Sequence, residues 1–244
     1  MMPTLLFASL TAFATPDAEY IDCDEFAGVG LVDFHIARAL VPSDYDLAPA
    51  PPGKAIIVAQ SGSCDTIRVN GAHGAPGIFA QVGIGVVDPL GVQVDGNFYQ
   101  VAFATDHFQL ARTIRRAGAN ARFTPFMDYT ITHTGGVNAD LNIFFPRPLG
   151  FAWEIAGPIT LPDPYDTPNP LTTFNYWAQD FLGRNNLQRN DVSNIILGDG
   201  TQVQLTAFGP ILQALVGGTT LPFPFFSAPE IFDSADVTIV RDAF

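Results

Sequence analysis

Arg122 follows a short apolar helix-forming run and precedes Phe123. A guanidinium there, if it points inward, can hold a carboxylate through two parallel hydrogen bonds; facing outward, it would pair with one of the chain's many acids. Gln81, in the run IFAQVGIGVV, and Tyr99, in GNFYQV, offer neutral hydrogen bonds to the same ligand, or are ordinary polar positions on strands facing water. Two further residues suit acid–base work. His107 follows Asp106, and a carboxylate can fix the tautomer of an imidazole, although adjacent residues seldom meet in that way and Asp106 also suits a helix cap. Glu154 lies in the apolar segment Phe151 to Ile155, where burial would raise its pKa enough for it to act as an acid, unless strand alternation turns it outward. Lys54 is the only lysine, so amine chemistry has one side-chain candidate.

Other site types find no support. No serine sits in a G-x-S-x-G elbow. The four histidines, His35, His73, His107 and His133, lack metal-ligand spacing, so no metal is expected. No glycine-rich phosphate loop follows a strand, and no cofactor is expected. A net charge of -13 repels nucleic acid and anionic membrane surfaces. No run approaches the ~18 apolar residues of a membrane-spanning helix.

The elements that must position these residues centre on Gly96 to Pro125. This stretch reads as a strand, a helix capped by Thr105 or Asp106 and ended by Gly118, and a lead into a second strand at Arg122. Tyr20 to Gly30 reads as a lead-in segment. Leu31 to Val41 reads as a strand running into a short helix, with His35 a core histidine. Lys54 to Gln60, Ile78 to Val87, Tyr129 to Thr132, Leu141 to Phe145 and Val237 to Val240 read as strands. Thr173 to Leu182 fits a helix, with Trp177 and Phe181 four apart. Gly198-Asp199-Gly200 marks a hairpin between Asn194–Leu197 and Gln202–Ala207. Pro210 and Gly217 bracket a short helix. The phenylalanine- and proline-rich stretch Leu221 to Phe232 reads as a loop or edge segment. It would be an apolar lip over a cavity, a contact in a homo-oligomer, or a loop tucked over a barrel end. Many short strands with a few brief helices predict a β-rich barrel or sandwich.

Residues 1–14 end in Ala12-Phe13-Ala14, a cleavage pattern of a signal peptide, although the basic n-region is missing. Cys23 and Cys64 form an isolated pair, suited to one disulfide in an oxidising compartment or to two buried thiols. The expectation is a protein secreted or held in the periplasm, with the mature chain starting near Thr15 and Cys23 bridged to Cys64.

In this order the segments resemble the acetoacetate decarboxylase-like superfamily over about residues 31–240. The resemblance lies in Val41-Pro42 after a helix, Ile78-Phe79-Ala80-Gln81 on a central strand, Asn97-Phe98-Tyr99 leading to Thr105-Asp106-His107, and Ala119-Asn120-Ala121-Arg122 after the short helix. It implies a mainly β (α+β) fold: a closed antiparallel β-barrel with a few short helices and an internal, largely apolar cavity, here a single domain over residues 15–244. The family decarboxylases form a Schiff base through a lysine in a proline-lysine-lysine run, and that position falls at or beside Arg122. Arginine stays protonated and cannot supply a neutral amine. The family's cavity glutamate falls on Gln81, which does not ionise. The expected function is therefore binding of a small or medium apolar carboxylate or ketone without Schiff-base chemistry, with Arg122 as anion anchor and Gln81 and Tyr99 as polar contacts. The alternatives are an enzyme of lyase or hydrolase type using Glu154 or His107, and a structural protein whose barrel is filled by its own side chains.

Overall fold

Two apolar clusters occupy opposite faces of the same long strands in the computed structural model, which describes residues 16–146, 150–163 and 165–244. Strands β1 (Ala18–Asp33), β2 (Lys54–Val69), β3 (Ala75–Gly85), β4 (Gly96–Thr105), β9 (Asn169–Gln179), β10 (Asn185–Leu197) and β13 (Phe226–Val240) run in the order β3-β2-β1-β13-β10-β9-β4. Pairing of β3 with β4 closes them into a seven-stranded barrel. Successive side chains on a strand point to opposite faces. On β1, Cys23 faces the lumen with Phe79, Phe103 and Phe232, while Phe26 and Val32 face outward.

The outward cluster is covered by a second sheet. Its strands are β6 (Asp128–Gly135), β7 (Asn138–Phe145), β8 (Trp153–Thr160), β11 (Gln204–Ala207) and β12 (Thr220–Pro222), in the order β12-β11-β8-β7-β6. Leu141, Ile143, Trp153 and Ile155 from this sheet join Ile57, Val82 and Ile84 of the barrel wall in one core. Helices α1 (Phe34–Leu40) and α3 (Pro210–Val216) pack on the same core through Ala37, Leu212 and Leu215. Helix α2 (Phe108–Arg116) sends Leu110 and Ile114 into the lumen cluster, and the short β5 (Ala121–Phe123) follows it.

The barrel is mixed rather than purely antiparallel. β4 pairs in parallel with both β5 and β9. Three strands of the second sheet intervene between β4 and β9 in the chain. A crossover of that length can return in the same direction, which a tight hairpin cannot do.

Several local expectations change, and His35, expected in the core, is exposed on α1. Tyr20 to Gly30 is the middle of β1, paired along most of its length with β2 on one side and β13 on the other. Thr173 to Leu182 continues β9 as far as Gln179: Phe174 and Tyr176 face the lumen while Trp177 faces outward, and the β-forming Thr, Phe, Tyr and Trp outweigh the i, i+4 spacing. Phe181 lies beyond the strand and is 93% exposed. Gly198-Asp199-Gly200 is not a hairpin turn but the passage from the barrel to the second sheet, where Asp199 bridges Thr160. A Cβ at Gly198 would stand 2.1 Å from the Thr160 carbonyl oxygen, so this close approach requires glycine. Leu221 to Phe232 divides into β12 and the first half of β13, with Pro229 inside β13 opposite Phe26.

The expected disulfide is present, joining Cys23 and Cys64 directly across the β1–β2 ladder. No helix among the described residues is long and apolar enough to cross a membrane. The cleavage pattern at Ala12 to Ala14 lies outside the described residues.

Candidate functional site

A belt of polar side chains circles the barrel interior, and each of the seven strands contributes. Glu230 (β13), Glu25 (β1), Gln60 (β2), Gln81 (β3), Gln100 (β4), Tyr176 (β9) and Gln188 with Asn190 (β10) are all buried. Register brings neighbours together. Glu25 lies directly opposite Glu230, Gln60 opposite Gln81, and Tyr176 opposite Gln188. Opposed side chains in such pairs have Cβ atoms roughly 5 Å apart, so the two carboxyls share one environment. Space beside them is kept by Gly62, opposite Glu25 on β2, where a Cβ would sit 2.6 Å from the Phe79 ring.

The amides form a directed ladder. Gln100 Nε2 donates to Gln81 Oε1 at 2.6 Å, and Gln81 Nε2 donates to Gln60 Oε1 at 2.6 Å. The Tyr176 hydroxyl also donates to Gln60 Oε1. Gln60 is in turn a diagonal neighbour of Glu25 across the β1–β2 ladder, close enough for its amide to favour the Glu25 carboxylate. Glu25 Oε1 and the Tyr20 hydroxyl, both buried, have no hydrogen-bond partner among the described residues.

Burial dominates the electrostatics. Glu25 is 3% exposed and Glu230 4%. Desolvation, with the nearby Glu230 charge adding to it, pushes the Glu25 carboxyl well above its ordinary range, and the Gln60 amide only partly offsets this. Desolvation raises Glu230 from 4.5 to about 7. Tyr20 and Tyr176 are pushed up by burial first and then by Glu25, with Glu230 adding for Tyr176, whereas Tyr129 is pushed up by burial, then Asp24, then the two glutamates. Two opposed, buried carboxyls titrate as a pair, and both are displaced toward the protonated form, so a proton can be shared between them.

A cavity of about 340 Å³ meets the belt. Phe98, Phe174 and Phe226 supply much of its apolar wall, and Gln60, Tyr176 and Glu230 reach it from the belt. No Lys, Arg or His is among its lining residues. Phe226 comes from the aromatic stretch that the sequence suggested as a cavity lip.

The residues singled out from sequence scatter. Gln81 joins the belt, 1% exposed. Arg122 does not: it pairs with Ala104, whose side chain belongs to the outer core, so the same face of the sheet carries Arg122 outward, where it is exposed. The inward guanidinium required for an anion anchor is therefore not found. Tyr99 lies one residue from the lumen-facing Phe98 and Gln100, which turns it outward; its ring centroid is 5.2 Å from that of Tyr45. His107 is the N-cap of α2, its Nδ1 accepting from the Leu110 amide at 3.2 Å, while Asp106 accepts from the Ile78 amide at 2.7 Å. Burial lowers the His107 pKa. Glu154 lies on β8 between inward-facing Trp153 and Ile155 and is partly exposed, accepting from Asn142 Nδ2 at 3.0 Å. Lys54 is exposed at the first residue of β2.

Sequence reasoning missed Glu25, Gln60, Gln100, Tyr176 and Glu230. The available signal was alternation. Cys23, Glu25, Ala27 and Val29 are every second residue, as are Val58 and Gln60, and each set points one way on its strand.

No family model matches this sequence, and no curated protein matches it. Solved structures do match. An acetoacetate decarboxylase-like enzyme from Sphingomonas wittichii RW1 superposes with a TM-score of 0.55 at 13% identity, covering 97% of each chain. The enduracididine biosynthesis enzyme MppR, complexed with pyruvate, gives 0.56 at 13% identity over 96% of this chain and 93% of that one. The acetoacetate decarboxylase of Legionella pneumophila gives 0.52 at 10% identity over 98% and 93%. Likeness at such low identity is likeness of architecture. Closed barrel, flanking sheet and three short helices together identify this chain as having the acetoacetate decarboxylase-like fold.

Proposed function

We propose that the barrel lumen binds a small, largely apolar carbonyl compound and carries out acid–base chemistry on it, with Glu230 as the reacting group and Glu25 as its partner. The single observation that carries this reading is the buried Glu25–Glu230 pair, with Glu230 at the wall of an otherwise largely apolar cavity. A carboxyl displaced to about 7 can both take and return a proton near neutral pH. As a carboxylate, Glu230 would take the proton from a carbon next to the ligand's carbonyl. The C–H electron pair moves to form the carbon–carbon double bond, and the carbonyl electrons move to oxygen. Return of the proton reverses the step or moves the double bond.

A ketone is favoured over a carboxylate as ligand, because no cation lines the cavity and a second anion would be repelled by the pair. Chemistry without a Schiff base is favoured because Lys54 stands outside the cavity lining. The open cavity disfavours a barrel filled by its own side chains. Export is supported by the Cys23–Cys64 disulfide. The core shared by barrel and second sheet supports treating residues 15–244 as one domain.

Small ketones and 1,3-diketones incubated with the protein in deuterated buffer would test the reading by proton NMR. Exchange of the hydrogens next to the carbonyl is expected, with at least a hundredfold loss in Glu230→Gln. Equal exchange in both proteins, or tighter binding of a carboxylate than of the matching ketone, would overturn it.

A further inference from the structure

The amide ladder has a direction, and the direction decides where a proton can sit. Gln60 Oε1 already accepts from Gln81 Nε2 and from the Tyr176 hydroxyl. Its remaining polar group, Nε2, is a donor only, and that is the group Gln60 has left to offer Glu25, its diagonal neighbour across the β1–β2 ladder. The Glu25 oxygen facing Gln60 must therefore accept. When Glu25 holds the shared proton, the proton belongs on the other oxygen, and Oε1 is buried with no partner among the described residues. Reversing this placement would require Gln60 to turn by 180°, presenting Nε2 to the Gln81 amide nitrogen. Gln81 would then have to turn as well, and Gln100 after it.

We infer that Gln81 and Gln100 are positioning residues: by holding Gln60 in one orientation, they fix the Glu25 proton on the oxygen turned away from Gln60, making Glu25 the hydrogen-bond donor of the pair and leaving Glu230 as the carboxylate at the cavity. Neither Gln81 nor Gln100 lines the cavity. They act across two and three strands through a chain of hydrogen bonds, each polarising the next. The titratable groups around the pair are Tyr20 on β1, Tyr176 on β9, Tyr129 from the second sheet and Asp24 on the outer face of β1. Asp95 lines the cavity from the start of the β4 arm, and β10 contributes only the neutral Gln188 and Asn190.

The inference rests on the reading of Glu230 as the group that ionises at the cavity, but its test needs no turnover. Carbon-13 NMR of protein labelled at the glutamate carboxyl carbon follows each carboxyl through a pH titration, with Glu25→Gln and Glu230→Gln giving the assignments. Gln81→Met keeps the length and removes the donor and acceptor. Gln60 is then free to turn, Glu230 loses its donor, and its proton affinity is expected to rise roughly three- to tenfold. Gln100→Met is expected to shift it the same way by less. Gln188→Met removes a belt amide outside the ladder and is expected to leave the Glu230 midpoint in place. A purely structural role for Gln81 would lower stability at every pH without moving that midpoint, and this result would overturn the inference. Equal shifts in Gln81→Met and Gln188→Met would do so too. Should Gln81→Met fail to fold, Gln100→Met against Gln188→Met decides. Failure of ketone exchange with a normal ladder response would discard the proposed chemistry and keep the proton placement.

Discussion

Replacing Glu230 by Gln should make the protein more stable at alkaline pH and nearly unchanged at acid pH. The native carboxyl holds its proton to about pH 7, whereas the ordinary value is 4.5. Between these values the folded protein binds more protons than the unfolded chain, so stability falls as pH rises. Below about pH 4.5 the carboxyl is protonated in both states and contributes no penalty; above about pH 7 the penalty is complete. A displacement from 4.5 to about 7, at about 1.36 kcal/mol per pH unit, makes that penalty roughly 3 kcal/mol. Glu25 is displaced in the same direction, partly by the Glu230 charge, so the substitution also relieves Glu25. Gln is close in shape to the protonated carboxyl and carries no charge at any pH. Urea and thermal unfolding of both proteins at pH 4.5 and pH 8.5 measure the effect. The variant minus wild-type difference is expected to be small at the lower pH and about 2–4 kcal/mol in favour of the variant at the higher, or roughly 4–16 °C in Tm for a chain of this size. Carboxyls held low in the native state, such as Asp33 and Asp180, shift both proteins alike and cancel in the difference. A difference that does not depend on pH would refute the reasoning, because the pair would then be solvated or neutralised by another group.

Reduction of Cys23–Cys64, or its replacement by two alanines, should cost about 4 kcal/mol for a separation of 41 residues, read from denaturant midpoints with and without reductant. Borohydride treatment in the presence of acetoacetate should leave the mass of the protein unchanged, since its only lysine is exposed on β2; an adduct mapped to Lys54 would contradict this. Arg122→Met should leave ketone affinity within about twofold by calorimetry, because the side chain stands outside the barrel, and a tenfold loss would return it to the site. Gly118→Ala should destabilise by roughly 1–3 kcal/mol in thermal unfolding. Gly118 has φ +92°, and an added Cβ would meet the Asp180 amide nitrogen at 2.7 Å.

The sequence alone determined the β-rich class, the helix after β4 with glycine just past its end, the isolated cysteine pair and the presence of a single lysine. Each follows from local chemistry: strand-forming residues, a left-handed position suited to Gly118, and the identities of single side chains. The likeness in segment order also led to the closed barrel, although the crossover that makes it mixed is a matter of chain path. The site itself was decided by tertiary structure. Glu25 and Glu230 are 205 positions apart; alternation can place Glu25 on one face of its strand, but only the β1–β13 register sets the two opposite each other. Acidic residues next to glycine read as solvated connection, and Pro229 read as part of a loop, until pairing on both sides places β1 and β13 in a closed barrel. Gln81 was legible because its neighbours are apolar. Arg122 misled because one residue of register on a strand exchanges inside for outside, and the parallel pairing with β4 chose outside.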